Sequence, residues 1–353
     1  MSTDDRFMRG LSVCVIIPFW NGSAWVERAI QSVIDQTIPP DEFIIVNDGS
    51  SVDERKKLEE ISAHYGVRIL DKENGGQGAA RNFGVAACKS DWVCFLDQDD
   101  FFLPEHIEIL SDCLRESSCP PDVVYGSFHL ADSTGMVHIE NALEKTQPGC
   151  HPPSVDPIAV YGRNLSILPS AAMISKSVFV EAGGFDAQFR GYEDDDLFAR
   201  LILSGVKFCY VPRAVYVWCQ HKGSTTWSGT MSRSRFLFYV KVRSQFIGES
   251  GFLSRDMAAA LEDRFGRFFY KSAAYAKIQS DDNKGVELNI LRNYVSDVVV
   301  DDLGWTSRAI YKTRLWVLER SDWFPMSLFF AAKRFNRVRV ESRRVRDGRQ
   351  FLQ

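Results

Sequence analysis

Three carboxylates stand directly behind a short apolar segment, an arrangement suited to binding a divalent cation. Residues 92–96 are apolar, and the tetrapeptide Asp97-Gln98-Asp99-Asp100 follows at once. In an Asp-x-Asp pair, a turning backbone can aim two carboxylates at one ion that also holds phosphate oxygens. An ordinary solvated turn at the end of a strand has a similar composition. The motif alone therefore leaves a cation site and a polar turn equally open.

A second acidic cluster opens a predicted helix. Residues 193–196 are four consecutive acids, and apolar residues at helical spacing follow from Leu197 to Ile202. Acids in the first turn stabilise a helix by about 0.3–1 kcal/mol each, but four neighbouring carboxylates repel one another. A carboxylate held near a site can instead take the proton from an attacking hydroxyl as a general base. These residues by themselves leave helix cap and general base open.

Two weaker motifs favour an anionic ligand and a metal. The glycines in residues 75–78 open a helix with Arg81 near its start. Backbone N–H groups at a helix start and a guanidinium favour a diphosphate, and a flexible loop with a capping arginine is the alternative. His221 follows a strand-like segment. Its imidazole would suit Mn²⁺ beside aspartate oxygens, although a lone histidine in such a place is more often an ordinary surface residue.

The elements that must position these residues alternate between strand and helix in the first half of the chain. The apolar patterns predict strands at residues 12–19, 43–46, 67–70 and 92–96, with helices at 25–34, 53–65 and 79–87 between them. Such spacing is typical of βαβ units in a mostly parallel sheet. Ligands bind outside the carboxyl ends of such strands. We therefore expect the polar turns after these four strands to form one site.

The composition is that of a globular protein, with 45% hydrophobic and 25% charged residues. The formal net charge of −4 gives no reason to expect a nucleic-acid partner. Eight cysteines include no CxxC pair, and Cys14, Cys94 and Cys209 lie in apolar strand-like segments, which favours buried thiols over a disulfide framework. No segment approaches the ~20 apolar residues of a spanning helix, and the N-terminus lacks a signal-peptide pattern. We expect a cytoplasmic protein.

The last third of the chain is predicted to be a separate, mainly helical region. We place a domain boundary near residue 225, which gives a domain at 1–225 and a helical region at 226–353. Aromatic residues at helical spacing in this region predict core packing. Near the end, an apolar and aromatic patch at 323–330 precedes a basic tail at 333–349. This combination suits an anionic membrane surface, and a packed terminal helix with a solvated basic end is the alternative.

Six motifs, in their order along the chain, resemble the family 2 glycosyltransferases, which have the GT-A fold. They are VIIPFWN from Val15, VNDGS from Val46, GQGAARN from Gly76, FLDQDD from Phe95, GGFD from Gly183 and EDDDL from Glu193. The resemblance implies a GT-A α/β fold, with a mixed, mostly parallel sheet flanked by helices and a helical C-terminal extension. It also implies an inverting, metal-dependent transfer of a sugar from a nucleotide-diphosphate donor to a hydroxyl of a glycan or lipid-linked glycan. A UDP-sugar donor, a hexosyltransferase-like activity and a place in bacterial polysaccharide biosynthesis are implied by the resemblance alone.

The resemblance also implies residue roles. Asp194 matches the catalytic base, with Glu193 beside it as the second choice, and Asp99 and His221 match the site for Mn²⁺ or Mg²⁺. The positions matching the donor pocket are Pro18, Asn21, Asp48, Gln77, Arg81 and Asp97, with Asp48 facing the nucleotide base and Gln77 and Arg81 near the phosphates. Asp195 occupies a place where the family often has an aromatic residue, so the resemblance does not assign how the acceptor stacks. Because Asp194 is near a helix start, we expect it to stay ionised at neutral pH, although neighbouring acids raise its pKa.

Two other classes of protein share some of these features. A nucleotidyltransferase also uses an α/β sheet and carboxylate-held Mg²⁺, but it should carry a glycine-rich basic loop right after its first strand. Residues 19–22 read Phe-Trp-Asn-Gly there, which disfavours that class. A non-catalytic module that binds a sugar nucleotide or a carbohydrate stays open as the alternative function.

Overall fold

The structure is a computed structural model that describes residues 11–221, 229–247, 253–279, 284–297 and 305–320. The chain forms two compact units that divide after Ile247. The helix Gly229–Phe246 belongs to the first unit by this division. The domain boundary that the sequence predicts near residue 225 stays a prediction. The patch at 323–330 and the basic tail at 333–349 lie outside the described residues.

The first unit is built on one nine-stranded mixed sheet. Its strands are β1 (Val13–Phe19), β2 (Glu42–Asp48), β3 (Arg68–Lys72), β4 (Trp92–Phe95), β5 (Phe101–Phe102), β6 (Val123–Asp132), β7 (Val137–Ile139), β8 (Ala172–Ser175) and β9 (Phe208–Gln220). Their order across the sheet is β3-β2-β1-β4-β8-β6-β9-β5, and β7 pairs with β6. The strands β1 to β4 are parallel, β8 runs antiparallel to β4 and β6, and β9 runs parallel to β6. The predicted parallel βαβ region is thus present.

Helices flank this sheet and make up the second unit. In the first unit they are α1 (Val26–Ile34), α2 (Val52–Tyr65), α3 (Gln77–Ala87), α4 (His106–Glu116), α5 (Ala142–Thr146), α6 (Pro157–Tyr161), α7 (Lys176–Glu181), α8 (Glu193–Leu203) and α9 (Gly229–Phe246), with a 3₁₀ turn at Pro169–Ala171. The second unit contains α10 (Arg255–Leu261), a π-helical turn at Glu262–Gly266, α11 (Arg267–Gln279), α12 (Lys284–Asp297) and α13 (Trp305–Arg320). The mainly helical C-terminal region is therefore confirmed. None of the described helices has the length and hydropathy needed to cross a bilayer.

The core follows the apolar patterns of the sequence. All seven residues of β1 are buried, as expected for a parallel strand covered on both faces. The predicted stripe of α1 is buried at Val26, Ala29, Ile30 and Val33, whereas Ile34 at the end of the helix is exposed. Cys14 and Cys94 are fully buried in β1 and β4, which agrees with their apolar surroundings in the sequence.

Two local patterns in the sequence predict structure that is not found. The residue types at 21–23 predict a cap for the following helix, but α1 begins after Trp25 and no side chain caps it. Ser23 instead uses its N–H and hydroxyl to donate to the Glu54 carboxylate of α2. The proline, glycine and polar residues at 140–157 predict a long loop, but this segment contains the short helix α5.

Candidate active site

The acidic turn after β4 lies at the carboxyl edge of the parallel strands, and its side chains point in different directions. The Asp97 Oδ1 accepts hydrogen bonds from the Gln77 amide at 2.6 Å and from the Arg81 guanidinium at 2.5 Å. Gln98 turns back to the loop after β1, where it accepts from the Trp20 N–H at 2.9 Å and donates to the Trp20 carbonyl at 3.2 Å. A Cβ at Gly22 would lie 2.3 Å from the Gln98 side chain. This glycine therefore leaves the space that ties the two loops together.

Asp99 and His221 are brought together although they are far apart in sequence. The His221 Nε2 lies 2.8 Å from the Asp99 Oδ2, and both side chains are partly exposed. The Trp25 ring stacks on the imidazole with ring centres 4.7 Å apart, and the Arg28 guanidinium donates to the Asp99 carbonyl at 2.6 Å. Burial, and less strongly the neighbouring Asp97 carboxylate, raises the pKa of Asp99, whereas His221 lowers it. A carboxylate oxygen facing an imidazole nitrogen fits a divalent cation.

Asp100 has a structural contact that the sequence does not reveal. Its carboxyl is buried and accepts a hydrogen bond from the Cys219 N–H at 2.8 Å. Burial and the carboxylates of Asp99 and Asp97 raise its pKa well above the usual range. This bond holds the end of β9 against the acidic turn, two residues before His221.

Asp48 organises the glycine loop. Its buried carboxylate accepts from the Lys72 ammonium at 2.6 Å, from the Gly75 N–H at 2.9 Å and from the Gly76 N–H at 2.7 Å. The Asn74 amide also donates to the Asp48 carbonyl at 2.9 Å. Gly76 has a φ of +91°, a conformation that favours glycine. The loop 74–76 is therefore wrapped around the end of β2, and the predicted contact of Asp48 with a nucleotide base stays a prediction.

The other two donor positions lie on the same edge. Pro18 is buried in β1 and pairs in register with Val46 of β2. Asn21 has a φ of +48°; its N–H donates to the Ser50 hydroxyl at 3.0 Å, and its side-chain oxygen accepts from the Ser51 N–H at 2.9 Å. These bonds join the loops that follow β1 and β2.

Arg81 connects the acidic turn to the second acidic cluster. Its side chain is only 2% exposed, and its two terminal nitrogens bind the Asp97 Oδ1 at 2.5 Å and the Glu193 Oε1 at 3.1 Å. The other Glu193 oxygen accepts from the Gly191 N–H at 2.8 Å. A Cβ at Gly78 would lie 3.1 Å from the Phe185 Cβ, so this glycine leaves room for Phe185 to pack closely against α3. The predicted contact between Arg81 and phosphates stays a prediction, and in the structure both its terminal nitrogens bind carboxylates.

The four acids that start α8 differ in their surroundings. Glu193, Asp195 and Asp196 are buried, and Asp194 is half-buried. Asp196 pairs with Arg200 at 2.9 Å and with Lys241 of α9 at 2.6 Å. Asp194 accepts a hydrogen bond from the Asp195 N–H at 2.9 Å. Asp194 is therefore the acid of this cluster with the most access to a ligand.

The expected ionisation of Asp194 at neutral pH is wrong for the unliganded protein. Burial raises the pKa of Asp194 to about 8, the Asp195 and Glu193 carboxylates add to the shift, and the Asp195 N–H and the Arg81 charge oppose it. The helix start cannot outweigh desolvation among neighbouring acids. A carboxyl with a pKa near the working pH is well suited to accept a proton.

Several residues of the site were not identified from the sequence. Gln98, Trp25 and Arg28 hold Asp99, His221 and the acidic turn in place, and Trp20 is an aromatic side chain, 55% exposed, at the rim. Trp20 directly follows β1 in the first motif, a position that could have drawn attention to it. Trp25 and Arg28 lie in an ordinary helical pattern that carries no such signal.

A second set of metal-capable atoms lies at the other end of β1. The ligand atoms of Cys14, Glu42 and Cys88 are within 4.8 Å of one another. One oxygen of Glu42 already accepts from the N–H groups of Lys89 and Ser90 and from the Ser90 hydroxyl. These bonds account for the carboxylate as a loop anchor, and the cluster lies apart from the edge that carries Asp97.

Comparisons with known proteins show which proteins this chain is similar to. Residues 14–134 match the model of glycosyl transferase family 2, and residues 163–222 match that of the N-terminal domain of galactosyltransferase. The chain is 31% identical over 199 residues to an uncharacterized glycosyltransferase of Rickettsia conorii, a match covering 54% of this chain and 31% of that protein. It is also 31% identical over 189 residues to an uncharacterized glycosyltransferase of Haemophilus influenzae, covering 53% of this chain and 61% of that protein. The chain thus spans less than a third of the first relative. The resemblance to family 2 that the six motifs predict is confirmed.

Solved structures confirm the fold class. TarS of S. aureus in complex with UDP-GlcNAc matches with a TM-score of 0.54 at 16% identity, over 88% of each chain. The mannosyltransferase PcManGT from Pyrobaculum calidifontis in complex with GDP-Man and Mn²⁺ matches with a TM-score of 0.50 at 14% identity, over 90% of this chain and 92% of that one. The predicted GT-A fold, with its mixed sheet and helical C-terminal region, is therefore confirmed.

Proposed function

We propose that this chain, whose residues 14–134 match the model of glycosyl transferase family 2, transfers a sugar from a nucleotide-diphosphate donor to an acceptor hydroxyl, with inversion. The observation that carries the proposal is the run of hydrogen bonds from Asp97 through Arg81 to Glu193. It joins the acidic turn after β4 to the helix that bears Asp194. A donor held at the acidic turn would therefore face the Asp194 carboxyl, whose pKa of about 8 suits a proton acceptor.

The proposed donor is a UDP-sugar. Its nucleotide would lie against the loops after β1 and β2, beside Pro18, Asn21 and Asp48. The N–H groups at the start of α3 would face the phosphates. Support comes from the shared fold, because TarS has been crystallised with UDP-GlcNAc. A GDP-sugar is the alternative donor to be assayed, since the structure of PcManGT contains GDP-Man.

Asp99 and His221 would hold the divalent cation, Mn²⁺ or Mg²⁺. Their ligand atoms, the Asp99 Oδ2 and the His221 Nε2, face each other at 2.8 Å, and this geometry supports the assignment. When bound, such an ion neutralises the charge that develops on the diphosphate leaving group. The protein's own contribution is to fix these two ligands, which Trp25, Arg28 and Asp100 do by stacking and hydrogen bonding.

Asp194 would act as the general base. In its ionised form it takes the proton of the acceptor hydroxyl while that oxygen attacks the anomeric carbon from the face opposite the leaving group. A single displacement of this kind inverts the anomeric centre and needs no protein nucleophile. Glu193 is the weaker candidate, because its two oxygens are bonded to Arg81 and to the Gly191 N–H in a buried place.

The acceptor and the cellular setting are proposed from the resemblance alone. The acceptor would be a glycan or a lipid-linked glycan of a bacterial polysaccharide, built in the cytoplasm. The basic tail at residues 333–349 would bring the protein to an anionic membrane surface. A flotation assay with vesicles containing anionic lipid tests this contact, and a chain that stays at the bottom of the gradient excludes it.

The direct test is an assay of donor turnover. The purified chain is incubated with Mn²⁺ and a panel of UDP-sugars and GDP-mannose, and both nucleotide release and thermal stability are measured. We expect one donor to raise the melting temperature by mass action and to release its nucleotide, with faster release when acceptor glycans are added. Saturable binding without release would identify a binding module instead. If no donor in the panel binds and none releases its nucleotide, the proposed function is rejected.

A further inference from the structure

We propose that Arg81 is a positioning residue that couples the two halves of the site, holding the acidic turn and the base-bearing helix at a fixed separation. The inference rests on the proposed function. It gives Arg81 a role that acts through Asp97 and Glu193 and not through contact with the donor.

The geometry is that of a bridge between three elements. Arg81 lies on α3, Asp97 follows β4 sixteen residues later, and Glu193 begins α8, 112 residues later. One guanidinium binds both carboxylates, with its two terminal nitrogens divided between them. The bridge continues from Glu193 to the Gly191 N–H, so it also holds the turn that directly precedes Asp194.

Burial and packing make this bridge rigid. Arg81 lies 5.2 Å from the centre of the Phe185 ring and 5.9 Å from that of Phe95. These rings restrict the planar group to one orientation. The guanidinium fork matches two carboxylates at fixed angles, which the single ammonium of lysine cannot do. Because Arg81 and Glu193 are both almost fully buried, loss of either partner would leave an uncompensated charge in the interior.

The same contacts argue against a direct role in donor binding. The side chain is 2% exposed, and both terminal nitrogens already have carboxylate partners. A diphosphate would have to displace Asp97 or Glu193 to reach them. Gln77, in contrast, shares the Asp97 oxygen from the start of α3 and stays partly exposed.

The bridge also affects the proposed base. The titratable and charged groups that face Asp194 include the carboxylates of Asp195 and Glu193, which raise its pKa, and the Arg81 guanidinium, which lowers it. Tyr216 of β9 is also close enough for Asp194 to help raise the pKa of its hydroxyl. Removal of the positive charge at position 81 should therefore move the ionisation of Asp194 to higher pH. A residue with a purely structural role would not produce this change.

The test is a double-mutant cycle with Arg81→Met, Glu193→Gln and the double variant, together with Arg81→Lys. We expect each single substitution to lower kcat by about 10²-fold, the cost of a small misplacement of reacting groups, while the affinity for UDP with Mn²⁺ stays near that of the wild type. The acidic limb of the pH–rate profile should move to higher pH in Arg81→Met. The double variant should be no slower than the worse single variant, because both act through one contact.

The matched control is Arg292→Lys, which alters a forked arginine–carboxylate pair with Glu319 in the second unit and should leave kcat unchanged. If Arg81→Met does not fold, Arg81→Lys and Glu193→Gln carry the test. The proposal is wrong if the Arg81 variants weaken UDP binding while kcat stays normal. It is also wrong if the loss of kcat in the double variant equals the product of the losses in Arg81→Met and Glu193→Gln. Wild-type turnover is measured first, so that its absence counts against the proposed function and not against the bridge.

Discussion

The Asp100 carboxyl accepts a hydrogen bond at 2.8 Å from the backbone N–H of Cys219, a residue 119 positions later in the chain. This one bond explains how a histidine far from the acidic turn comes to lie against it. Because Cys219 is fixed beside Asp100, the chain that leaves β9 passes Asp99, and His221 meets the Asp99 carboxylate at 2.8 Å. Asp100 thus positions the two residues of the proposed cation site without being one of its ligands.

Asp100→Ala should therefore damage metal binding more than its position suggests. Loss of the acceptor leaves the buried Cys219 N–H unsatisfied, at a cost of about 1–3 kcal/mol in stability. The displaced His221 should weaken the affinity for Mn²⁺ by about 10–100-fold. Asp100→Asn keeps an acceptor oxygen and should largely preserve both properties. Titration calorimetry with Mn²⁺ and thermal unfolding of the two variants check this, and equal behaviour of alanine and asparagine would contradict it.

Asp194→Asn should abolish transfer while it leaves donor binding intact. The amide cannot accept the proton of the acceptor, and loss of a general base costs about 10²–10⁴-fold in rate. Nucleotide release and UDP affinity are measured for the variant and for Asp112→Asn, a substitution of an exposed aspartate that pairs with Arg115 on α4. A variant at position 194 with near-normal turnover would remove this residue from the role.

The rate should depend on pH with an inflection near 8. The pKa of Asp194 is raised to about 8, so its ionised fraction increases as the pH rises from 6 to 9. The value of kcat/KM, which reports the free enzyme, should rise tenfold per pH unit below the inflection and level off above it. A profile that is flat from pH 6 to 9, or one that has its acidic limb near pH 4, would exclude Asp194 as the titrating base.

The same carboxyl should make the protein less stable as the pH rises. Its pKa in the folded state lies above the unfolded value of about 3.9, so the folded protein binds more protons between these two values. Stability is therefore lost as the pH increases through this window. Asp194→Asn removes the effect, and its melting temperature should exceed that of the wild type by more at pH 9 than at pH 5. A constant difference across this range would show that the carboxyl does not titrate in the window.

Removal of divalent cations should stop the proposed reaction. EDTA should abolish nucleotide release, and added Mn²⁺ or Mg²⁺ should restore it, because the leaving diphosphate needs its charge neutralised. In His221→Ala, the concentration of Mn²⁺ needed for half-maximal rate should rise with little change in the affinity for uridine. Full activity in the presence of chelator would reject the assignment of Asp99 and His221.

Much of the fold could be predicted because its signals are local. The continuous apolar run of β1 and the helical spacing in α1 place these elements within a few residues of their observed bounds. The glycines at residues 75–78, after β3, and the acids after β4 mark the edge of the sheet where a ligand would bind. The partner of Ser23 was not predicted, because its hydroxyl donates to Glu54 of α2, a contact that no local pattern indicates.

The sequence by itself determined the alternation of strands and helices, the resemblance to the family 2 glycosyltransferases and the candidate residues at one edge of the sheet. Only the tertiary structure decided what surrounds each of them. It paired Arg81 with Asp97 and Glu193, engaged Asp48 with the glycine loop, and buried Asp194 among acids enough to raise its pKa. The physical reason is that hydrogen bonds and charge interactions depend on distances of a few ångströms and on exclusion of water. Both are set when segments more than a hundred residues apart pack together, and neither is written in the residues of one segment.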